Sequence, residues 1–553
     1  MPLNPFDLTD PILKQIIRTM SPSALRQQLD QMADTMGDEA FCAAMAREIV
    51  ARTRPEQAIP GTYAHYQSLV HDGIEFFLGR VNRQRIIDLV VSQLSMDADT
   101  CCQARLLALA QRFPTLHKLG QLIARHPDID PTVRQWLIAL ENGHYGTPPD
   151  ELLVQIETEL GPGVKANVQV ASTILSEASV GAVIPFRWRS SPDAGSQHGV
   201  FKLLRPGIRR QLDEELAILE RTAAFFHDHR TRYPLKDLRF LEIFDDLREM
   251  MVHEVDLMAE QRFLEAAGRF YADMPTIRIP RCLSFSNGHM TAMEFLDGDK
   301  LTDAKLTEPQ QKQMAGTLFE ALVLKPLFSC NDPALFHGDP HAGNILAVCT
   351  SESTDPAIGL VDWSLAGYLA RSDRIKTVSL IQGLLKKDLT GMCNAIISLT
   401  QGASHTTYMP RKQLRDLILG WLHESGHGRL PRVKQAFRLL EALSKEGMMF
   451  PADLMLFRKA IFALEGVLHD LWPAFDMNAA IAQHMMGIIH EEFPVRLGNL
   501  FFPLSDRPEN YRSLISNQDL HSLIAHQYVN TLFSHSQRFM APFMGWDQAA
   551  SIL

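Results

Sequence analysis

The sequence of 553 residues is poor in cysteine and has no long hydrophobic segment. Its seven cysteines form no CxxC pair, which argues against a disulfide framework or a zinc module and favours a reducing compartment. No apolar run reaches the roughly 18 residues of a membrane-spanning helix. The first residues lack the basic and then apolar pattern of a signal peptide. We therefore predict a cytoplasmic protein, for which any membrane contact is peripheral.

Basic residues are too few to suggest a nucleic-acid-binding protein. The chain has 54 Lys and Arg against 64 Asp and Glu, a net charge of −10. Because nucleic acids bind to basic surfaces, this balance argues against nucleic acid as a main partner. Hydrophobic residues make up 46% of the chain, which is typical of globular proteins.

The spacing of apolar residues predicts an α+β fold with its strands in the middle of the chain. Apolar residues recur at helical spacing in residues 1–113 and in residues 375–553. Between these regions, VGAVIPFRWR and VFKLLRPG flank a turn-rich segment, which is typical of a β-hairpin, and NILAVC with AIGLVDW predicts a second one. Two more short strands are predicted around Asn287-Gly288. Long helices are predicted from Arg209 to His227 and from Arg239 to Tyr271.

The strongest chemical signal is the segment FHGDPHAGNIL followed by LVDW. Phosphoryl transfer needs a carboxylate that orients the nucleophile, and an amide and a second carboxylate that hold Mg²⁺. Asp339 and Asn344 supply the first carboxylate and the amide on one loop, and Asp362 ends the second strand of the predicted hairpin. HGD alone is a weak motif that ordinary loops also contain, but its combination with a strand-terminal Asp favours a Mg²⁺-nucleotide site.

A kinase-type site also needs an amine for the nucleotide phosphates and a carboxylate that holds this amine. Lys202 lies in the strand-like VFKLLRPG, and Glu254, Asp256 and Glu260 are the candidate partners. On a continuous helix Asp256 and Glu260 share a face, and Glu254 lies on another. A solvated lysine and a solvated acidic face are the alternative interpretation of these residues.

At this point the sequence resembles the UbiB/AarF-type atypical kinases, a protein-kinase-like family tied to ubiquinone biosynthesis and isoprenoid-lipid metabolism. The resemblance covers about residues 110–400, and its motifs occur in the family's order. The matching segments are KLGQ at 118–121 for KxGQ, SEAS at 176–179 for the Ala-rich AxAS loop, KLLRPG at 202–207 for KVQRPG, Glu254-x-Asp256 for ExD, MEFLDG at 293–298 for the hinge, and HGDPHAGN at 337–344.

This resemblance implies a bilobal protein-kinase-like fold with bound ATP and Mg²⁺. It implies a helical N-terminal extension (1–113), an N-lobe with a small β-sheet (114–298) and a largely helical C-lobe (299–553). The implied catalytic residues are Asp339, Lys202 and Glu260, with Glu260 paired to Lys202, and the implied metal ligands are Asn344 and Asp362. The implied nucleotide-binding positions are Ala178, Ser179, Lys202, Glu294 and Leu296.

The resemblance also implies a segment over the active site that blocks protein substrates. Its residues are Lys118, Gly120 and Gln121, with Lys118 paired to Glu254 or Asp256. ATP hydrolysis or phosphorylation of a small molecule or lipid is then favoured over protein phosphorylation.

Two positions depart from the family pattern. Asp362-Trp363-Ser364 stands where the family has Asp-Phe-Gly, and the lost glycine argues against a kinase-style activation flip. Glu177 places a carboxylate in the Ala-rich loop. If that carboxylate points toward bound phosphates it weakens nucleotide binding, and if it points away it is neutral.

Three functions follow from these residues. The first is a Mg²⁺- and ATP-dependent kinase or ATPase that supports ubiquinone or isoprenoid-lipid metabolism and works with lipids or quinone-pathway proteins. The second is a small-molecule phosphotransferase of the aminoglycoside or choline kinase type, which KxGQ and ExD disfavour. The third is a nucleotide-binding scaffold with little turnover. Two apolar stretches, from Leu318 to Phe328 and over residues 437–472, are predicted to be core, with a lipid-facing surface as the alternative.

Overall fold

The computed structural model describes most of the chain as two compact units. The described residues are 20–124, 147–189, 195–229, 231–233, 240–348, 356–400, 409–424 and 432–526, without residues 60, 98 and 178. The first unit comprises Met1–Ala259 and Cys282–Phe295, and the second comprises Glu260–Arg281 and Leu296–Leu553. The predicted boundaries at 113/114 and 298/299 stay a prediction.

The first unit begins with a layer of helices. They are α1 (Pro22–Met36), α2 (Asp38–Thr53), α3 (Gln67–Leu78), α4 (Arg83–Ser95), α5 (Cys102–Ala110) and α6 (Pro114–Ala124). The helix α1 starts where the Ser21 side chain accepts a hydrogen bond from the Ala24 N–H. Buried apolar residues of these helices share one core with residues from Ile208 onward, so the described N-terminal helices are part of the unit's core.

An antiparallel sheet forms the second layer of the first unit. Its strands are β1 (Val168–Val170), β2 (Ser176–Glu177), β3 (Gly181–Trp188), β4 (Gln197–Leu204) and β6 (Met290–Glu294), in the order β1-β3-β4-β6, with β2 also paired to β3. The pairing of β3 with β4 confirms the hairpin predicted from two short segments around a turn-rich one. One face of the sheet packs on α7 (Pro149–Glu159), which is followed by the short α8 (Pro162–Lys165).

The helices that follow the sheet differ from the prediction at one point. The helix α9 (Ile208–Asp228) is confirmed, but the helix predicted from Arg239 to Tyr271 is two helices, α10 (Phe240–Glu254) and α11 (Leu257–Phe270). The break falls where the Asp256 carboxylate accepts a hydrogen bond from the Ala259 N–H, at 2.9 Å, and so caps α11. Asp side chains compete with the helical backbone in this way, so the face relation predicted for Glu254, Asp256 and Glu260 is wrong.

The second unit contains two small sheets. One has the order β5-β10-β9-β7, with β5 (Ile277–Arg278), β7 (Gly298–Lys300), β9 (Ile345–Val348) and β10 (Ala357–Leu360). The antiparallel pair of β9 and β10 confirms the second predicted hairpin. The other sheet pairs β8 (Ala334–His337) with β11 (Ala366–Leu369). The sequence did not reveal this pair, because the partners are far apart in the chain and each is only four residues long.

The rest of the second unit is helical. Its helices are α12 (Glu308–Phe319), a π-helical turn (Glu320–Leu324), α13 (Lys325–Phe328), α14 (Arg371–Lys386), α15 (Leu389–Thr400), α16 (Arg411–His423), α17 (Arg432–Lys445), α18 (Ala452–Leu471), α19 (Met477–Glu491) and α20 (Phe493–Phe501). Both apolar stretches singled out in the sequence supply buried residues, among them Leu318, Phe437 and Phe457, which confirms their prediction as core. Among the described helices, none has the length and apolar content to cross a membrane.

Candidate functional site

The loop after β8 carries Asp339 and is held by its own backbone. The Gly338 N–H donates to the Leu365 carbonyl at 2.8 Å. A Cβ at position 338 would lie 2.9 Å from that carbonyl oxygen, so the close approach requires glycine here. The Asn344 side-chain amide donates to the Asp339 carbonyl at 3.1 Å, and the Val361 N–H donates to the Asn344 carbonyl at 3.0 Å. These contacts bring Asp339, Asn344 and the residue before Asp362 to one end of the β9–β10 hairpin.

His337 is the buried centre of this loop. It is 2% exposed, its Nδ1 accepts from the Asp339 N–H, and its Nε2 donates to the Val361 carbonyl, both at 3.2 Å. Burial lowers the pKa of the imidazole, and this agrees with a neutral ring that donates at one nitrogen and accepts at the other. His337 therefore ties the Asp339 backbone to the strand end that precedes Asp362. Sequence reasoning missed this role, for which the HGD motif was the only signal.

Asp362 has an unusual backbone. Its φ of 57° lies in the left-handed region, which Asp tolerates better than most residues. One carboxylate oxygen, Oδ1, accepts from the Ser364 hydroxyl at 2.7 Å and from the Ser364 N–H at 3.3 Å. Next to it, the fully buried Trp363 donates from Nε1 to the Leu360 carbonyl and packs against His337 at 4.7 Å between ring centroids. The positive φ thus falls on Asp362, and Ser364 fixes the carboxylate through its hydroxyl.

The donors at this end of the hairpin suit Mg²⁺. Because the Asn344 nitrogen is engaged by the Asp339 carbonyl, the amide oxygen is the side-chain atom that can face a cation. Amide and carboxylate oxygens are the hard ligands that Mg²⁺ prefers, and it usually takes only one or two carboxylates together with phosphates. In the described part of the chain no group of three or more His, Cys, Asp or Glu could hold a metal ion. The side-chain oxygens of Asn344 and Asp362 are of the kind that Mg²⁺ accepts together with phosphate oxygens and water.

In the first unit, the helix α6 carries the KLGQ segment. Lys118 on α6 is 9% exposed and forms an ion pair with Glu254, the last residue of α10. Of the two carboxylates offered by the ExD segment, Glu254 is thus the partner of Lys118, while Asp256 caps α11. Gly120 is buried on α6, and the side chain of Gln121 lies outside the described residues.

A buried carboxylate that the sequence did not reveal fixes the start of α6. Glu215 on α9 is 0% exposed, and it accepts hydrogen bonds from both the N–H and the hydroxyl of Thr115, at 3.1 and 2.6 Å. Its other oxygen contacts Arg85 of α4 and accepts from Gln211. One carboxylate therefore joins α4, α6 and α9. Periodicity predicts that position 215 lies on a helix, but only the fold shows that this face is covered.

The loop before β3 holds the Ala-rich segment. The Glu177 carboxylate accepts from the Thr147 hydroxyl and, at 3.0 Å, from the Thr147 N–H. Glu177 is thus hydrogen-bonded to Thr147, which lies two residues before the start of α7. The Ser179 side chain is buried, and its carbonyl accepts from Arg205 at 3.1 Å. Ala178 lies outside the described residues.

The remaining predicted positions lie in both units. Lys202 is in β4, opposite Val183 of β3 and Thr291 of β6, between the fully buried Phe201 and Leu203. Glu294 ends β6 in the first unit. Glu260 is buried on α11, and Leu296 precedes β7, both in the second unit. The predicted pairing of Lys202 with Glu260 stays a prediction.

Comparison with known proteins supports the resemblance. Residues 156–396 match the ABC1 atypical kinase-like domain. This match agrees with the resemblance to the UbiB/AarF-type atypical kinases. It is 24% identical to the chloroplastic protein ACTIVITY OF BC1 COMPLEX KINASE 1 of Arabidopsis thaliana, over 74% of this chain and 61% of that protein. It is also 24% identical to a probable protein kinase UbiB of Cellvibrio japonicus, over 66% of this chain and 65% of that protein.

Among solved structures, the chain is similar to Rv3197 of Mycobacterium tuberculosis, determined as a complex with erythromycin. The two share 17% identity with a TM-score of 0.38, over 66% of this chain and 90% of the other. The chain spans only part of the two curated relatives, 61% of the Arabidopsis protein and 65% of the Cellvibrio protein. The matched region contains the loop of Asp339 and Asn344 and the strand end at Asp362.

Proposed function

We propose that this protein is a Mg²⁺- and ATP-dependent atypical kinase or ATPase. The observation that carries the proposal is the hydrogen-bonded loop in which Asn344 donates to the Asp339 carbonyl and accepts from the N–H of Val361. The loop carries Asp339 and Asn344, and its bond to Val361 joins it to the residue before Asp362. Two carboxylates and an amide are the groups that phosphoryl transfer requires. The match of residues 156–396 to an atypical kinase-like domain supports the same function.

Each residue at this strand end has a role in the proposed reaction. Asp339 orients the attacking hydroxyl or water and accepts its proton. Asn344 and Asp362 hold Mg²⁺, which supplies positive charge to the β- and γ-phosphate oxygens when bound. His337 keeps the Asp339 backbone in place as a neutral hydrogen-bonding residue. Lys202 holds the α- and β-phosphates, as the resemblance implies, and Glu260 holds Lys202.

The ion pair of Lys118 with Glu254 supports the narrower part of the proposal. In the family, the KxGQ segment lies over the active site and excludes protein substrates. Here Lys118 of that segment is paired with Glu254, and Glu215 holds the start of the helix that carries the segment. We therefore favour ATP hydrolysis or transfer to a small or lipid acceptor, in quinone or isoprenoid-lipid metabolism, over protein phosphorylation.

One contact favours a second candidate, a nucleotide-binding scaffold with little turnover. The Ser364 hydroxyl and N–H both donate to Oδ1 of Asp362. These donors compete with a cation for the lone pairs of that oxygen. A slow or absent chemical step with intact nucleotide binding is the behaviour that this contact predicts.

The test is phosphate release from ATP in the presence of Mg²⁺, with and without lipid vesicles. Wild type is compared with Asp362→Asn and Lys202→Ala, and with Asp470→Asn as a control at an exposed carboxylate at the end of α18. We expect Asp362→Asn and Lys202→Ala to lower the rate about a hundredfold or more, since changes even around metal ligands cost ten- to a hundredfold, and Asp470→Asn to match wild type. Equal rates for all four proteins contradict the proposal. ATP-induced thermal stabilisation without turnover supports the scaffold instead.

A further inference from the structure

The segment from Met486 to Leu504 exposes an unusual amount of apolar surface. Of the eighteen large apolar side chains that are exposed in the described part of the chain, eight lie between these two residues. Phe493, Phe501 and Phe502 are 62%, 77% and 68% exposed, and Leu504 is 88% exposed. Single exposed apolar residues are ordinary, but a contiguous group of this kind marks an interaction surface.

The helix α20 in this segment is amphipathic with its faces inverted. Phe493, Leu497, Leu500 and Phe501 follow the spacing i, i+4, i+7 and i+8, so they share one face, and all four are exposed. A surface helix of a soluble protein normally turns such a face to the core. We call these four residues, together with Phe502 and Leu504 of the following turn, the apolar ridge.

The face of α20 that points into the protein is polar. Arg496 is 5% exposed, and it donates to Glu492 at 2.8 Å, to the Ser513 hydroxyl at 2.7 Å and to the Ile515 carbonyl at 3.0 Å. Asn499 donates to the Tyr511 hydroxyl at 2.8 Å. Buried polar groups are tolerated when they are hydrogen-bonded in this way. Hydrogen bonds therefore stabilise the polar face of α20 inside the protein, and this leaves the apolar ridge exposed.

Two ion pairs lie in or beside the helix that carries the apolar ridge. Glu492 is paired with Arg496, and Glu491 is paired with Arg512 at 3.1 Å. The ridge itself contains only Phe and Leu side chains, which neither donate nor accept hydrogen bonds. Protein interfaces carry about one hydrogen bond per 100–200 Å², whereas the hydrocarbon edge of a bilayer requires none. This chemistry matches a lipid surface better than a protein partner.

We propose that the apolar ridge inserts into the interfacial region of a lipid bilayer, with α20 lying along the membrane surface. An exposed apolar helix face followed by a turn with adjacent Phe502 and Leu504 is the form of a surface-bound segment, and no described helix could span the bilayer instead. The apolar stretch of residues 437–472, the lipid-facing candidate from the sequence, is in the core, so the apolar ridge replaces it. This inference does not depend on ATP turnover.

The test is flotation of the full chain with phosphatidylcholine vesicles, at low and high salt and without nucleotide. The variant Phe501→Ser/Phe502→Ser removes the most exposed aromatic rings, and Leu385→Ser is the control at an exposed leucine of α14 in the same unit. We expect wild type and the control to float. The double variant should bind at least about tenfold more weakly, since burying one Phe side chain strengthens binding about tenfold or more. Thermal unfolding of the double variant should match wild type, because both side chains are exposed.

Four results would overturn the proposal. One is wild type that does not float with these vesicles, and another is equal flotation of wild type and the double variant. The third is a dimer in sedimentation experiments without lipid that the double variant abolishes, since the ridge would then bind a second copy of the chain. Loss of flotation at high salt would also contradict it, because apolar insertion is not screened by salt.

Discussion

The two units hold their candidate functional residues by different physical means. In the first unit the KLGQ helix is fixed by charges, through the ion pair of Lys118 with Glu254 and through the buried carboxylate of Glu215. In the second unit the loop of Asp339 and Asn344 is fixed by neutral groups, namely the His337 imidazole, the Asn344 amide and backbone N–H and C=O groups. A buried ion pair is costly to break at one partner, whereas neutral hydrogen bonds contribute modestly and do not respond to ionic strength.

The difference suggests a division of roles. Under the proposed function, Asp339 and Asp362 act close to Mg²⁺ and phosphates, so a neutral framework is favourable because further charges would compete with the nucleotide. A helix that has only to be kept in place can use strong ion pairs. Substitutions in the charged contacts of the first unit and in the neutral contacts of the second should therefore change the free energy of unfolding by different amounts and with different pH dependence.

The largest effect is expected for Glu215. The change Glu215→Ala removes the buried carboxylate that binds Arg85 and both donors of Thr115. Because removing one partner of a buried ion pair is costly, the free energy of unfolding should fall by about 3–5 kcal/mol. The neighbouring Glu214 is bound to the same Arg85 but is 28% exposed, so Glu214→Ala is a matched control, for which we expect about 1 kcal/mol. Urea unfolding of both variants measures the difference. Equal losses would show that burial of Glu215 does not stabilise α6.

A smaller effect is expected for the pair of Lys118 and Glu254. Their side chains are 11% and 19% exposed, so a double-mutant cycle with Lys118→Met and Glu254→Gln should give a coupling energy of about 1–3 kcal/mol. The pair of Lys165 and Glu157 in the same unit is 51% and 64% exposed and should give less than about 1 kcal/mol in the same cycle. Similar coupling in the two pairs would contradict the claim that the KLGQ helix is held by a buried charge.

The smallest effect is a pH dependence in the second unit. Burial lowers the folded-state pKa of His337 and of His484 below the ordinary 6.5. Below pH 6.5 the unfolded chain takes up protons that the folded chain does not, so this contribution to stability is complete above 6.5 and is lost as pH falls toward the folded pKa values. One such residue contributes a slope of up to about 1.4 kcal/mol per pH unit.

Urea unfolding at about pH 7.0, 6.0 and 5.5 checks this dependence, because these values lie on both sides of the ordinary histidine pKa of about 6.5. The change His337→Leu should flatten the slope, and the same change at His341, which is 40% exposed, should leave it as in wild type. A wild-type stability that rises as the pH is lowered would contradict the neutral framework around Asp339.

Much of the fold and of the candidate site could be predicted from the sequence. The hairpins of β3 with β4 and of β9 with β10 are local, and two short strand-like segments around turn residues predict such pairs. The segments of Asp339, Asn344 and Asp362 could be named because they directly precede and follow the predicted hairpin of β9 and β10. The pair of β8 and β11 and the break between α10 and α11 were missed, because the first depends on distant partners and the second on a single cap at Asp256.

The sequence by itself determined the resemblance to a kinase family, the chemical groups of the candidate site and the order of helices around a central β-region, since these follow from residue types and short spacings. Only the tertiary structure decided that Lys118 binds Glu254, that Glu215 is fully buried, and that α20 turns its polar face inward. These facts depend on which faces become covered when distant segments pack. Periodicity shows that a helix has two faces, but the neighbours of the helix determine which of them meets the solvent.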